Sequence, residues 1–490
     1  MKQIKSYNPN QAYLIPFNPF ESFKPNSLEM AIHNIIEKYI STKPFLIHMK
    51  NKNRGQKAIS PKILLKIIFY AYCNGIFSSR TIEEYLINHL SFIFLADNNI
   101  IDHSTICRFI NKYSKQIKQV FSKVLYICYK NKLVNLDMIS IDGSKIRANA
   151  HSEWTGNKKE FMKLKERLEK RIEKLIQRQK RIDKQESNPD SIIKYKNKIE
   201  RQKKKYESVI TKIDKFMVEV NEEDQKSKIN LTDTDCRVQK GENGKYFEGY
   251  NAQVVSNDKV IISYDINNHQ SDRNELLPMM ILTEKSLKHL GITDTELKES
   301  KILADAGYRN TDHIGKLNSD GYNMYIKVNP KKGEKELDKI GTQECKVLKK
   351  SGKKLLVCPG ERILKTRGAV KEHDHYFYKF FASRGGCREC KYNKTCWGKN
   401  KGFSKNFTIK QSVYDNYFVY KNMQSKLESI EGKDIYNQRL GMIERVYGHI
   451  KSNRGFNRFY HRGIEKVSTI WSVICTCYNI YKLYKSGIII

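Results

Sequence analysis

Three carboxylates carry the chemistry this chain could do. Asp142 follows an apolar run in "ISIDGSKIRANA", and Asp305 follows another in "ILADAGYRN", each with a glycine close behind, while Glu444 lies in "MIERVYGHIK", a segment with helical spacing. Phosphodiester cleavage requires that charge on the phosphate be neutralised, a water or hydroxyl activated and the leaving oxygen stabilised. Two magnesium ions about 3.5–4 Å apart, held by a few carboxylates, do all three. Two aspartates at the ends of neighbouring strands can share one metal, and a glutamate on a helix packed across those ends completes such a site. Lys451 lies about two turns beyond Glu444 at 3.6 residues per turn, on the same face, where it could hold a phosphate. Singly, each piece is weak. A strand-terminal Asp is more often a turn or cap residue, and Glu444 with Lys451 reads equally well as two solvated helix charges. Their occurrence together on a strongly basic chain favours the metal site.

The chain that must position them has 490 residues, enough for two or three units with cores of their own. Its 90 Lys+Arg against 53 Asp+Glu give a formal net charge of +37, spread too widely for one basic tail, so a polyanion, DNA or RNA, is the natural partner. The first twenty residues lack the apolar core and small-residue cleavage site of a signal peptide. Apolar runs such as "ILLKIIFYAY" and "VSTIWSVICTCYNIYKLY" are broken by Lys or polar residues before they reach membrane-spanning length, so no membrane association is expected. Eleven cysteines without an export signal point to a reducing compartment, the cytoplasm.

Residues 60–130 read as consecutive helices. Ser60-Pro61 starts the first and Gly75 stops it, a second runs from Ser79 through Leu90, and a third starts at Asp102 or Ser104 and runs on through "CYK". One of these helices could enter a major groove; a packed bundle with solvated Lys is the equal alternative. From Phe161, apolar residues three and four apart form a seam, and after the break "ESNPDS" a second stripe runs from Ile192 to Met217, so residues 158–220 read as an antiparallel helical hairpin inserted in the chain. It is either a DNA-gripping or dimerising arm or, as charge on such helices favours, a solvated coiled coil. Around it the period changes to two. "LDMISID", "YFEGYNAQVVSND", "KVIISYDIN", "SKILADAGY" and "YNMYIKV" read as strands in a mixed α/β sheet, with "KILA" suited to a doubly covered position. Residues 331–430 lose this regularity and become Lys-, Gly- and Cys-rich.

"SIDGSKIRA", "FEGYNAQVV", "LADAGY" and "YNQRLGMIERVYGHIKSNRGFNRFYHRG" resemble bacterial insertion-sequence transposases of the DDE type, and the helical stretch ending in "DHSTICRFI" resembles the domain preceding their catalytic core. The resemblance implies a ribonuclease H-like mixed sheet flanked by helices. On that basis residues 1–135 are an N-terminal helical, DNA-binding domain and 136–157 hold the first strand of the catalytic core. The helical hairpin insertion follows at 158–220, and the core resumes at 221–330. Residues 331–430 are an insertion with a Cys cluster, and 431–490 are the helices that complete the core. The resemblance further implies that Asp142, Asp305 and Glu444 bind two magnesium ions, with manganese able to substitute. The activity is metal-dependent cleavage and strand transfer at terminal inverted repeats and in target DNA, by a homodimer in the DNA complex and in association with the nucleoid. A catalytically inactive, transposase-derived DNA-binding protein is the alternative. The family's Tyr, Arg, Glu, Lys signature maps onto Tyr436, Arg439, Glu444 and Lys451 with one departure, an extra residue between Arg439 and Glu444. Five positions turn about 500° on a continuous helix and carry Arg439 off the face of Glu444, unless Gly441 breaks the helix.

Lys145 and Arg147, just after the first Asp, and Arg454 and Arg458, in a downstream basic row with Arg445 and Arg462, are candidate DNA contacts. An aromatic core with a solvated Arg face explains that row as well. Cys387 and Cys390 form a CxxC, with Cys396 after it and Cys358 before. Four thiolates could close a structural zinc site, but a second CxxC is missing and free thiols are the rival. Asp272 in "NHQSDRNELL" reads as a helix cap, and His103, His269 and His313 receive no catalytic role.

Overall fold

The computed structural model describes residues 23–47, 58–182, 189–219, 228–241, 243–327, 344–350, 352–372, 375–383, 386–397 and 405–488. The amino terminus read for a signal peptide, the first half of the "ESNPDS" break and the start of the Cys-rich insertion lie outside the described residues. The chain divides into two compact units, one of residues 1–131, 454–456 and 472–490, the other of residues 132–453 and 457–471.

The first unit is helical: α1 Leu28–Tyr39, α2 Lys43–Leu46, α3 Pro61–Cys73, α4 Ser79–Asn88, α5 Leu90–Leu95, α6 His103–Lys112 and α7 Ser114–Lys130. Helix α3 is the central element, with Leu64, Leu65, Ile67, Ile68 and Phe69 at 3% exposure or less. It starts at a first-turn proline, and Gly75 follows its end at φ +76°, where a methyl would stand 2.7 Å from the Arg454 carbonyl oxygen. Two expectations are corrected here. The helix from Ser79 ends at Asn88, and α5 starts afresh at Leu90 after extended His89. The long helix expected to reach Lys130 is two helices, because Tyr113 leaves helical geometry at φ −107°, ψ 29°. The Asp102 carboxylate caps α6 from 2.8 Å to the Ser104 amide and 3.3 Å to that of Thr105.

The second unit contains β1 Met138–Arg147, β2 Thr155–Gly156, α8 Lys158–Ile182, α9 Pro189–Glu219, β3 Ile229–Asn230, β4 Arg237–Lys240, β5 Tyr246–Ser256, β6 Ile261–Asn267, α10 Leu276–Lys288, α11 Asp294–Glu299, β7 Lys301–Ala304, α12 Thr311–Ser319 and β8 Asn323–Ile326. Its main sheet runs β6-β5-β1-β7-β8, with β4 pairing the same outer edge of β5 as β6. β5 is antiparallel to its neighbours, whereas β1, β7 and β8 are parallel. The fold is therefore mixed α/β. Strand β7, "KILA", lies between β1 and β8, and Ile302, Leu303 and Ala304 are fully buried, as covering on both faces requires. Helices α8 and α9 run antiparallel. Phe161 stacks edge-on to Phe216 at 5.4 Å, Lys165 pairs with Asp214 at 2.6 Å, and Leu168 and Ile213 complete the packing near the base.

Residues 344–410 overturn the expected irregularity. Strands β9 Lys346–Lys350, β10 Lys353–Val357, β11 Ile363–Glu372, β12 His375–Phe381 and β13 Asn406–Lys410 form a five-stranded antiparallel sheet in the order β13-β12-β11-β10-β9, with α13 Asn393–Trp397 between the last two. One face packs a small core around Leu356, Leu364 and Phe380, while the alternating positions mix Lys346, Lys353, Lys365, Lys379 and Lys410 with apolar residues such as Val357, Ile363 and Phe381. That alternation is strand-like, but the dense Lys hides it from a reading of composition. Then come α14 Gln411–Asp415, α15 Tyr417–Glu428, α16 Ile430–Tyr447, a π-helical turn at Gly448–Asn453 and α17 Ile464–Lys485, whose residues up to Trp471 belong to this unit and whose later ones belong to the first. Among the described residues no helix is long and apolar enough to cross a membrane.

His461 sits in the second unit with both ring nitrogens buried and without hydrogen-bond partners. Burial, helped by the Lys466 charge, lowers its pKa from 6.5 to about 4. The folded form keeps the ring neutral while the unfolded chain takes up a proton below about pH 6.5. This contribution to stability is therefore complete above that pH and lost as the pH falls toward 4, at a cost of roughly 2–3 kcal/mol. Urea unfolding at pH 7 and pH 4.5 should show a smaller acid loss for His461→Leu than for the parent. Equal losses would remove His461 as the cause.

Candidate active site

Asp142 and Asp305 meet because two parallel strands end out of step. β1 and β7 pair in register from Met138 opposite Lys301 to Ile141 opposite Ala304, and there β7 stops. Asp305 is the next residue. Its carboxylate accepts the Gly307 amide at 2.8 Å and turns the chain into the 3-10 turn Ala306–Tyr308. β1 does not stop at Asp142, as its apolar run suggested. It continues to Arg147, held on its other side by β5, with Asp142 opposite Val254. Asp142 is thus a mid-strand residue at the point where one neighbour has ended, and Asp305, the residue after that neighbour's last pair, falls on the same rung.

Helix α16 covers this point. Its Ile435 and Met442 pack with Leu303 and Tyr325, and the Ser429 hydroxyl caps its start by accepting the Gly432 amide at 3.0 Å. It runs unbroken through Gly441, so no kink there compensates the extra residue between Arg439 and Glu444. Arg439 is buried, with its guanidinium 3.3 Å from Asp142 Oδ2, and Glu444 is on the exposed side of the helix, as the 500° separation requires. The Tyr447 hydroxyl, 2.9 Å from the Asp142 carbonyl oxygen and 2.8 Å from that of Ala252, fixes the helix end to both strands. The Tyr436 hydroxyl donates to the Ala304 carbonyl at 3.4 Å, beside Asp305.

Burial pushes the Asp142 carboxyl up to about 6 against the pull of Arg439, and the charges of Asp305 and Asp272 add to the rise. The oxygens of Asp142, Asp305 and Glu444 do not all lie within 4.8 Å of one another. Beyond Tyr447 the π-helical turn advances less per residue than an α-helix, so the two-turn phase that put Lys451 on the face of Glu444 no longer applies.

Asp272 does not cap a helix. Its Oδ1 accepts Asn251 Nδ2 and Gln253 Nε2, each at 2.7 Å, and Lys145 Nζ at 3.1 Å. Side chains alternate along a strand, so this network, built on Gly143, Lys145, Asn251 and Gln253, is on the opposite side of β1 from Asp142. The fully buried Tyr308 hydroxyl donates to Gln253 Oε1 and so aims the amide nitrogen at Asp272. Sequence reasoning missed Asn251, Gln253, Tyr308 and Tyr447. The available signal was two amides at alternate positions of a strand otherwise apolar on both faces. Arg147 lies over Phe247 at 5.3 Å and Arg458 Nη2 bonds Asn149 at 3.3 Å, the two arginines joined by a backbone bridge. Arg454 belongs to the first unit, over the Tyr481 ring at 4.5 Å, while Phe459 is core in the second.

A mixed sheet presenting paired aspartates beneath an arginine-bearing helix is an arrangement suited to phosphate chemistry. Residues 357–484 match the family model described as a transposase DDE domain, and residues 18–112 match a transposase domain (DUF772). The two matches identify the chain as an insertion-sequence transposase of the DDE type. The first span contains Glu444 and Arg439, while Asp142 and Asp305 lie outside it. No curated protein and no solved structure matches the chain.

Proposed function

We propose that this transposase binds the terminal inverted repeats of its element and catalyses metal-dependent strand cleavage and transfer into target DNA, with Asp142, Asp305 and Glu444 as the carboxylate ligands. The observation that carries this reading is the placement of Asp142 and Asp305 on the same rung of two adjacent parallel strands, one beyond their last pair. A strand order of 3-2-1-4-5 in the main sheet, counting its five principal strands along the chain, with the first three antiparallel and the last two parallel, supports a ribonuclease H-like core. On this reading residues 1–135 bind DNA, 158–220 and 331–430 are insertions, and two copies bring the element ends together.

The donors suit a hard divalent cation. They are carboxylates, and buried Asp142 is crowded by Asp305 and Asp272 with Arg439 as its one ion-pair partner among the described residues. Magnesium or manganese held there supplies charge neutralisation and an activated hydroxyl for attack on phosphorus. Arg439 orients Asp142 when the site is empty. Tyr447 and Tyr436 hold helix and strands together, keeping Glu444 within reach of the strand ends. Lys145, Arg147, Lys451 and Arg458 contact backbone phosphates, which positions DNA without reading its sequence.

A plasmid carrying the gene with its native flanks, incubated with purified protein and magnesium, should acquire breaks at the element boundaries that EDTA suppresses. Binding to those flanks without breaks under magnesium or manganese would instead support an inactive DNA-binding descendant.

A further inference from the structure

The cysteine cluster of the five-stranded sheet is independent of the carboxylate site. Four thiols reach it from three segments. Cys358 follows β10 and opens a tight turn in which its carbonyl accepts the Glu361 amide at 2.8 Å and its own amide donates to the Arg362 carbonyl at 3.1 Å. Cys387 and Cys390 form a second turn, the Cys390 amide bonding the Cys387 carbonyl at 3.3 Å. Cys396 lies on α13.

The sulfurs of Cys390 and Cys358 both lie over Gly360. A methyl added to that glycine would stand 2.7 Å from Cys390 Sγ and 3.8 Å from Cys358 Sγ, so the missing side chain makes room for thiols. The Lys405 amide is 3.5 Å from Cys387 Sγ, placed to donate to it, and the Lys405 ammonium bonds the Cys396 carbonyl at 2.8 Å. Cys358 and Cys396 also border the small apolar core under the sheet, which has nine buried members among the described residues. So thin a core gains from a metal staple.

We propose that Cys358, Cys387, Cys390 and Cys396 bind a single zinc ion that holds the two turns and α13 against the sheet. Tetrahedral zinc–thiolate bonds of about 2.3 Å set sulfurs about 3.8 Å apart. No three of these sulfurs lie within 4.8 Å of one another, so binding draws them inward, a movement made easy by their position on turns and a short helix. Cys345, buried in the sheet's core, is not a ligand.

The full chain, purified without a metal-affinity tag, should contain about one zinc per molecule by elemental analysis, released as a mercurial titrates about four thiols. Cobalt substitution should give visible ligand-field bands with thiolate charge transfer. Cys390→Ser and Cys358→Ser should lower zinc content several-fold, while Cys345→Ala retains it. If the serine variants fail to fold, the mercurial titration and cobalt spectrum of the parent decide. Zinc content near zero in protein whose four thiols react freely would overturn the proposal. So would a cobalt spectrum lacking thiolate charge transfer, which would place metal elsewhere, for instance at Glu83, Asp102 and His103, the one described trio with ligand atoms mutually within 4.8 Å.

Discussion

Asp142→Ala is expected to reduce magnesium-dependent strand cleavage by about a thousandfold or more while DNA retention stays within a few-fold of the parent. The two effects separate because they draw on different parts of the molecule. Non-specific affinity comes from many phosphate contacts on a chain of formal charge +37, and one carboxylate contributes little to it. Cleavage depends on charge placed at the reacting phosphate, where a single ligand is worth several kcal/mol. Asp305→Ala should behave in the same way. Gel retention of element-end DNA beside a cleavage assay checks both, and cleavage within tenfold of the parent by either variant removes that residue from the site. Glu444→Gln is the more discriminating substitution, because Glu444 is exposed on α16 rather than drawn against the aspartates. Abolished cleavage would mean that DNA or metal recruits it. Full activity would remove Glu444 from the site.

Much of this site was legible in the sequence, and what was not has identifiable causes. Asp142 and Asp305 were found because each follows a buried β-type run, and burial by alternation is a local property that a chain displays directly. That β1 continues past Asp142 was hidden. The residues after it, "GSKIR", look like a turn, and only pairing with β5 makes them strand. Helical phase turned Arg439 away from Glu444, and the phase was right; what the sequence could not reveal is that a guanidinium turned away from Glu444 turns toward Asp142. The phase from Glu444 to Lys451 was misjudged for the opposite reason, since a π-helical turn leaves no mark in residue spacing. The five-stranded sheet was missed because lysines, depleted in strands, are interspersed along it and blur the alternation, and only cross-strand pairing identifies it. Asp272 was read as a cap from its neighbours in sequence, whereas its partners Lys145, Asn251 and Gln253 come from distant parts of the chain.

Gly143→Ala should be the most damaging single-methyl change near the site. The added carbon would stand 2.2 Å from Gln253 Nε2, 2.9 Å from Gln253 Cδ and 2.8 Å from Asp272 Oδ1. These are side-chain atoms, which ordinarily move aside cheaply, but neither is free here. Gln253 is held at one end by the Tyr308 hydroxyl and at the other by Asn251 and Asp272, and Asp272 is further tied to Lys145. Moving the amide leaves a buried phenol and a carboxylate short of partners. Moving the backbone shifts Asp142, whose carboxylate accepts the Gly143 amide at 2.8 Å. Overpacking of this kind costs about 1–3 kcal/mol, and a displacement of about 1 Å at a reacting group costs roughly a hundredfold in rate. The variant should therefore unfold at lower temperature and cleave ten- to a hundredfold more slowly. Gln253→Ala opens the space that the methyl needs, so in the double variant the cost of Gly143→Ala should largely vanish relative to Gln253→Ala alone, a non-additivity that contacting residues show and distant ones do not. Additive losses would place the strain in the backbone of β1 and not in the amide network, and an unimpaired single variant would mean that Gln253 has another place to go.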